Sequence, residues 1–89
     1  MQIEEIEKFL DTKAKGEKDY VKIDFKKRES IYGLFVKDSD YRDLKSKNFW
    51  RIVTRPNFDA WNHSANKGLA KIFCGVEFTR LTLYKDSFD

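Results

Sequence analysis

Two apolar stretches, each interrupted by a glycine, constrain the fold of this chain more than any other feature. The first covers residues 21–41, with Gly33 inside a run of apolar residues, and the second covers residues 69–84, with Gly75 between two short β-rich segments. A strand residue without a Cβ atom allows sharp coiling at a barrel corner or the close approach of another backbone. The two stretches therefore predict the two halves of one small β-barrel.

Five short strands account for these stretches and for the segment between them. Residues 21–26 alternate between apolar and charged side chains, which is typical of a half-exposed strand. Gly75 allows two strands to meet at a sharp corner because it absorbs an abrupt change of direction. Closing the strands into a barrel removes most of the exposed edge of the sheet. The predicted strands cover residues 20–26, 31–36, 49–54, 69–73 and 78–84.

Two helices are predicted outside the strands. Residues 2–15 carry apolar side chains at helical spacing, with acidic residues first, lysines last and Gly16 as the cap. The apolar stripe of this helix is expected to cover the open end of the barrel. A second, short helix is predicted near residues 57–66, where Asn57 caps its start and Gly68 stops it.

Length and composition predict a single domain over residues 1–89, with the barrel in residues 20–84. Hydrophobic residues make up 40% of the chain and aromatic residues 16%, which is enough for one core. Cys74 is the only cysteine, so an intramolecular disulfide is excluded and a reducing cytosol is favoured. Acidic residues interrupt residues 1–11, and no run approaches the ~18 apolar residues of a membrane span. We therefore expect a cytoplasmic protein without a membrane partner.

The net charge of +3 is distributed unevenly along the chain. Residues 1–11 carry four acids and one lysine, residues 12–28 carry seven bases and three acids, and residues 37–55 carry six bases and three acids. Two basic tracts of this kind attract phosphate. A lysine-rich surface that serves solubility has the same composition, so both interpretations stay open.

Residues 37–47 are polar, which predicts a loop. These residues form no recognisable metal motif, and His63 belongs to no recognisable catalytic motif. Asp38, Asp40 and Asp43 lack the alternating spacing and the distant glutamate of a calcium loop. His63 has no partner in the sequence pattern that would orient it as a general base. We therefore expect no metal, no cofactor and no enzymatic activity, and a nicotinamide-dependent dehydrogenase is excluded by the absent G-x-G-x-x-G motif.

The chain resembles the Sm and Sm-like family of small, strongly bent, five-stranded SH3-like barrels that carry an N-terminal helix. The first motif of the family is similar to residues 21–26 followed by residues 33–35, and the second is similar to residues 72–78. Residues 57–68 fall where the family tolerates a variable loop. The resemblance implies a mainly β fold with an N-terminal helix, and homo-oligomers that pair through edge strands.

The resemblance also implies where nucleic acid is bound. In the family a base stacks on a side chain after the second strand, an asparagine reads its edge, and an arginine precedes the last glycine. Tyr41 stands at the stacking position, whereas Asp43 and Cys74 stand at the other two positions. An aromatic face therefore remains while hydrogen bonding and charge are altered. The nucleic-acid-binding residues predicted on this basis are Tyr41 for stacking and Lys26, Lys27, Arg28, Arg42, Lys45 and Lys47 for phosphate.

Two functions remain open on the sequence. One is a non-catalytic Sm-like module that binds single-stranded RNA, and it predicts binding that weakens with salt. The alternative is a protein-interaction or oligomeric scaffold with no nucleic-acid role, and it predicts a stable homo-oligomer without ligand.

Overall fold

A computed structural model describes residues 1–14 and 19–84 of the chain. An N-terminal helix precedes five strands, and two short helices lie between the strands. The predicted helix cap at Gly16 falls outside the described residues. The helices are α1 (Ile3–Thr12), α2 (Tyr41–Ser46) and α3 (Phe58–Ser64), and the strands are β1 (Tyr20–Phe25), β2 (Ile31–Phe35), β3 (Phe49–Thr54), β4 (Lys71–Cys74) and β5 (Phe78–Tyr84).

All five strands join one open antiparallel sheet in the order β4-β3-β2-β1-β5. β2 is the middle strand, and β1 pairs with strands on both of its sides, since Val21 lies opposite Gly33 of β2 and Leu83 of β5. β4 and β5 are consecutive in the chain, yet they form the two outer strands of the sheet. The prediction of an N-terminal helix and five strands is therefore confirmed. The sheet is open at β4 and β5, so the predicted closure into a barrel stays a prediction.

The inner face of the sheet carries the larger hydrophobic core. Alternation along β1 places Val21 and Ile23 on this face, where both are fully buried. Trp50 and Ile52 of β3 and Phe78 of β5 also belong to this core, and each is 1% exposed or less; Leu81 of β5 is buried beside them. Aromatic residues supply much of the buried area from few positions.

Helix α1 covers this inner face with one apolar stripe. Ile6 and Leu10, four residues apart, are buried in the core beside the strand residues. The backbone N–H of Gln2 donates to Glu5 Oε1 at 3.0 Å, which satisfies one donor at the helix start. The amphipathic spacing thus explains why α1 lies on the sheet.

A second, smaller core lies on the outer face under α3. Leu34 of β2 and Val53 of β3 contact Phe58, the first residue of α3. The Phe58 ring stacks on Tyr20 of β1 with 4.3 Å between ring centroids. The predicted short helix is therefore present, but it ends at Ser64, and Ala65 caps it in the left-handed conformation with φ 49°. The stop expected at Gly68 lies beyond the observed end.

The loop predicted over residues 37–47 is wrong in part, because Tyr41–Ser46 forms α2. The Leu44 N–H donates to the Asp40 carbonyl at 3.0 Å, which closes the first turn. Arg51 of β3 donates to Asp40 Oδ2 at 2.5 Å and fixes the start of the helix against the sheet. A helix of six residues is too short to show a helical period in sequence, and the tertiary contact between Arg51 and Asp40 helps to stabilise it.

Gly33 explains how β2 and β3 approach each other at the centre of the sheet. A Cβ atom on Gly33 would lie 2.5 Å from Cγ2 of Ile52 and 3.4 Å from the Val53 carbonyl oxygen. The first distance is far shorter than ordinary van der Waals contact, whereas the second lies at its lower limit. The space that Gly33 leaves free is therefore occupied by the side chain of Ile52, and not by the other backbone that the sequence suggested.

Candidate nucleic-acid interface

The connection between β4 and β5 is a single 3₁₀ turn, Gly75–Glu77, which we call the corner. The Gly75 N–H donates to the Asn48 carbonyl at 2.7 Å, and a Cβ on Gly75 would lie 2.7 Å from Trp50 Nε1 and closer still to Asn48 Oδ1. Only glycine fits this space without displacing the indole or the amide. The corner is thus held tightly against the start of β3.

Asn48 and the Met1 amino group connect the corner to α1. The α-amino nitrogen of Met1 donates to the carbonyls of Gly75 at 2.9 Å and Phe78 at 2.8 Å. Asn48 Nδ2 donates to the Met1 carbonyl at 3.0 Å, and its Oδ1 accepts from Trp50 Nε1 at 2.7 Å. One asparagine side chain therefore joins the N-terminal segment, β3 and the corner.

The first basic tract lies beside the corner, in the turn between β1 and β2. Lys26, Lys27 and Arg28 are exposed there, and we call these three residues the basic turn. The Lys26 N–H donates to the Glu77 carbonyl at 3.0 Å, which attaches the basic turn to the corner. The three cations therefore occupy a fixed position at one end of the sheet.

Arg28 is positioned by aromatic rings. Its guanidinium carbon lies 5.0 Å from the ring centroid of Phe25 and 6.0 Å from that of Phe73. Phe25 in turn packs edge-on against Phe78 at 5.3 Å. Such cation–π contacts at exposed sites contribute about 0.5–1 kcal/mol each, and they leave the N–H donors of the guanidinium free to bind other groups. Arg28 is thus held in place without losing its donors to a carboxylate at these contacts.

The second basic tract approaches the same corner through α2. Lys47 is exposed and directly precedes Asn48, whose carbonyl accepts from the corner. Arg42 is also exposed, in the first turn of α2. Lys45 differs from them because its Nζ pairs with Glu7 of α1. The structure therefore places the basic turn and Lys47 around one corner, with Lys45 neutralised by α1.

Tyr41 packs between α2 and the sheet. Its ring lies edge-on to Trp50 at 6.0 Å, and the ammonium groups of Lys37 and Lys45 lie 5.3 Å and 5.6 Å from its centroid. The hydroxyl is buried and has no hydrogen-bond partner among the described residues. Burial, followed by the charges of Asp11 and Glu7, raises the pKa of Tyr41 to about 12. Stacking of a base on this ring remains a prediction.

A group of residues that the sequence patterns did not single out lies on the outer face of the sheet. Lys22 of β1 stands opposite Tyr32 of β2 in the strand register, and the ring centroids of Tyr32 and Tyr84 are 4.8 Å apart. The Arg55 guanidinium lies 5.8 Å from the Tyr32 ring. These residues are up to 62 positions apart in the chain, and only the strand register, which local periodicity does not supply, could have brought them together.

Comparisons of the chain with known protein families, with curated proteins and with solved structures give no match. Within residues 1–14 and 19–84, no cluster of three or more histidine, cysteine or acidic side chains has the arrangement that holds a metal ion. The helices in the same ranges are all too short or too polar to cross a membrane. The site must therefore be interpreted from its own geometry.

Proposed function

We propose that this chain is a divergent Sm-like barrel that acts in the cytosol as a non-catalytic module for binding single-stranded RNA. The fold part of the proposal is supported by the strand order β4-β3-β2-β1-β5, by the N-terminal helix and by the one-turn corner between β4 and β5. The N-terminal helix and the five strands are features that the resemblance to the Sm-like family implies. The cytosolic assignment is supported by the single, free Cys74.

The function is carried by one observation: the basic turn and Lys47, which are far apart in sequence, both lie next to the corner. The basic turn contacts the corner through the Lys26 N–H, and Lys47 follows the end of α2 next to Asn48. Cations grouped in this way raise the local concentration of a polyanion. Each phosphate that a lysine or arginine neutralises also releases counterions, which favours binding of a nucleic-acid strand.

Arg28 contributes a positioned hydrogen-bond donor group to this surface in addition to its charge. Its guanidinium is positioned over Phe25 and Phe73, so little conformational entropy is lost when it binds a phosphate. A guanidinium also presents paired donors that match two phosphate oxygens. Glu29 and Glu77 lie beside the basic turn and reduce its net charge, which favours a weak, salt-sensitive interaction.

The test is fluorescence anisotropy of a labelled oligouridylate at low ionic strength. We expect wild-type protein to bind, and we expect the double variant Lys27→Glu/Arg28→Glu to bind at least about tenfold more weakly, since two phosphate contacts become repulsive. The matched control is Lys8→Glu, which reverses an exposed lysine on α1 away from the corner, and it should leave the affinity nearly unchanged. Absence of wild-type binding at low salt would refute the proposal.

A second candidate function, a homo-oligomeric scaffold, is favoured by the apolar surface near one edge of the sheet. Ile72 of the outer strand β4 and Val76 of the corner are each 51% exposed, and Phe49 of β3 is 36% exposed. Outer strands present unpaired backbone groups to a partner. Light scattering decides this candidate, because an edge-paired assembly requires a mass that is a multiple of 10.6 kDa.

A further inference from the structure

Two aromatic rings meet at the end of the inner core that lies next to the basic turn. Phe25 of β1 and Phe73 of β4 have ring centroids 6.1 Å apart, although β2 and β3 separate their strands in the sheet order. In a flat sheet, strands three positions apart lie about 14 Å from each other. The sheet therefore coils until β1 and β4 approach each other, and two half-buried rings lie at that place.

Arg28 lies on the solvent side of these two rings. Its guanidinium carbon is 5.0 Å from the ring centroid of Phe25 and 6.0 Å from that of Phe73. The residue is exposed, so the side of the guanidinium that is turned away from the rings is open to solvent. The ion pairs found within residues 1–14 and 19–84 do not include Arg28. Aromatic rings, and not a carboxylate of this part of the chain, therefore hold the cation.

Hydrogen bonds fix the basic turn on both sides of Arg28. Before it, the Lys26 N–H donates to the Glu77 carbonyl at 3.0 Å. After it, the Ser30 hydroxyl donates to Asp24 Oδ1, which joins the start of β2 to the end of β1. A turn that is already ordered loses less conformational entropy when it binds a ligand. The guanidinium is thus presented to solvent by a restrained segment.

A guanidinium differs from an ammonium group in having two flat faces in addition to its donor edge. The faces stack on aromatic rings and on unpaired RNA bases, whereas the N–H donors at the edge pair with phosphate oxygens. In Arg28 one face is directed to Phe25, and the opposite face and the edge are available. The same side chain can therefore bind a phosphate and the base beside it.

We propose that an unpaired RNA base stacks on the solvent-facing side of Arg28, so that the base, the guanidinium and the Phe25 ring form three layers. This inference rests on the proposed function and adds the contact that recognises bases rather than phosphates. If Arg28 only covered the end of the core and contacted phosphate, the protein would bind ligands with and without bases equally well. The two roles therefore differ in a measurable quantity.

The test compares two labelled probes in titrations of the full-length protein at low salt. One is oligouridylate, and the other is an abasic oligonucleotide of the same length, which keeps the phosphates and lacks the bases. We expect wild-type protein to bind oligouridylate about 3- to 30-fold more tightly than the abasic probe. Arg28→Lys keeps the charge and removes the plane, so it should bring the two affinities within about twofold of each other.

The ratio of the two affinities isolates stacking from the other effects of this substitution. Loss of the paired N–H donors weakens both probes alike and leaves the ratio unchanged. The matched control is Arg80→Lys, the same exchange at an exposed arginine of β5, and it should keep the wild-type ratio. If circular dichroism shows that Arg28→Lys folds poorly, Phe25→Leu provides a second variant. It removes the ring beneath the guanidinium and should also lower the ratio.

The outcomes separate failure of this inference from failure of the proposed function. If wild-type protein binds both probes with affinities within about twofold of each other, or if Arg28→Lys keeps the wild-type ratio, stacking on Arg28 is refuted and the basic interface stands. If wild-type protein binds neither probe at low salt, both proposals are refuted.

Discussion

Asn48 binds the indole of Trp50 through its side chain, and the backbone of Asn48 itself is in the left-handed conformation. Its φ is 61°, and its side-chain Oδ1 accepts a hydrogen bond from Trp50 Nε1 at 2.7 Å. Trp50 is 1% exposed, so its N–H would lack a partner without this oxygen. The residue that precedes β3 therefore decides whether the indole can be buried beside Gly75.

Two substitutions at Asn48 separate the roles of its backbone and its side chain. Asn48→Ala should lower the free energy of unfolding by about 2–4 kcal/mol, because it leaves the indole N–H unpaired and puts a Cβ-bearing residue without a local hydrogen bond at positive φ. Asn48→Gly should cost about 1 kcal/mol less, since glycine adopts that conformation freely. Urea unfolding measures both, and equal losses would contradict the assigned strain.

The contact between Gly33 and Ile52 predicts an interaction between two substitutions. Gly33→Ala alone should destabilise the fold by about 1–3 kcal/mol, because the new methyl group collides with Cγ2 of Ile52 at 2.5 Å. Ile52→Ala removes that carbon and alone costs about 2–5 kcal/mol. The double variant should be destabilised by clearly less than the sum, and strict additivity in urea unfolding would refute the close contact.

The buried hydroxyl of Tyr41 should reduce stability. Since the oxygen has no hydrogen-bond partner among the described residues, Tyr41→Phe should raise the free energy of unfolding by roughly 1 kcal/mol while it keeps the edge-on contact with Trp50. The control is Tyr41→Leu, which also removes the ring and should destabilise. A loss of stability in Tyr41→Phe would show that the hydroxyl is satisfied in solution.

The same residue predicts a dependence on alkaline pH. Burial raises the pKa of Tyr41 from 10.0 to about 12, so the unfolded chain releases this proton first as the pH rises. Ionisation of Tyr41 in the unfolded chain therefore leaves the free energy of unfolding unchanged below about pH 10 and lowers it as the pH rises from about 10 to about 12. Tyr41→Phe should therefore lose less stability than wild type across this interval, as measured by urea unfolding at several pH values. Identical profiles would contradict the raised pKa.

Local patterns predict the parts of this fold whose contacts are local. The alternation around Val21 indicates which side of β1 is buried, and the helical spacing of Ile6 and Leu10 indicates which side of α1 is buried. Helix α2 is different, because the Asp40 and Arg51 ion pair that stabilises it joins residues 11 positions apart. Its formation therefore depends on the position of β3 and leaves no period in the sequence.

The candidate site likewise has one part that the local sequence predicts and another that it does not. The basic turn is visible in sequence because Lys26, Lys27 and Arg28 are consecutive. The pairing of Tyr32 with Tyr84 is not, because it depends on the register of β2, β1 and β5 together. Composition thus indicates a basic surface, and the sheet determines which aromatic rings lie beside it.

The salt dependence of RNA binding shows whether the basic turn and Lys47 form a nucleic-acid interface. If the basic turn and Lys47 neutralise phosphates, the logarithm of the association constant should fall linearly with the logarithm of the salt concentration, with a slope of about −2 to −3 for four contacts. Lys27→Glu should make that slope shallower by roughly the amount that one phosphate contact contributes. Binding whose affinity does not change with salt, or no binding at low salt, would contradict the assignment of this corner as a nucleic-acid interface.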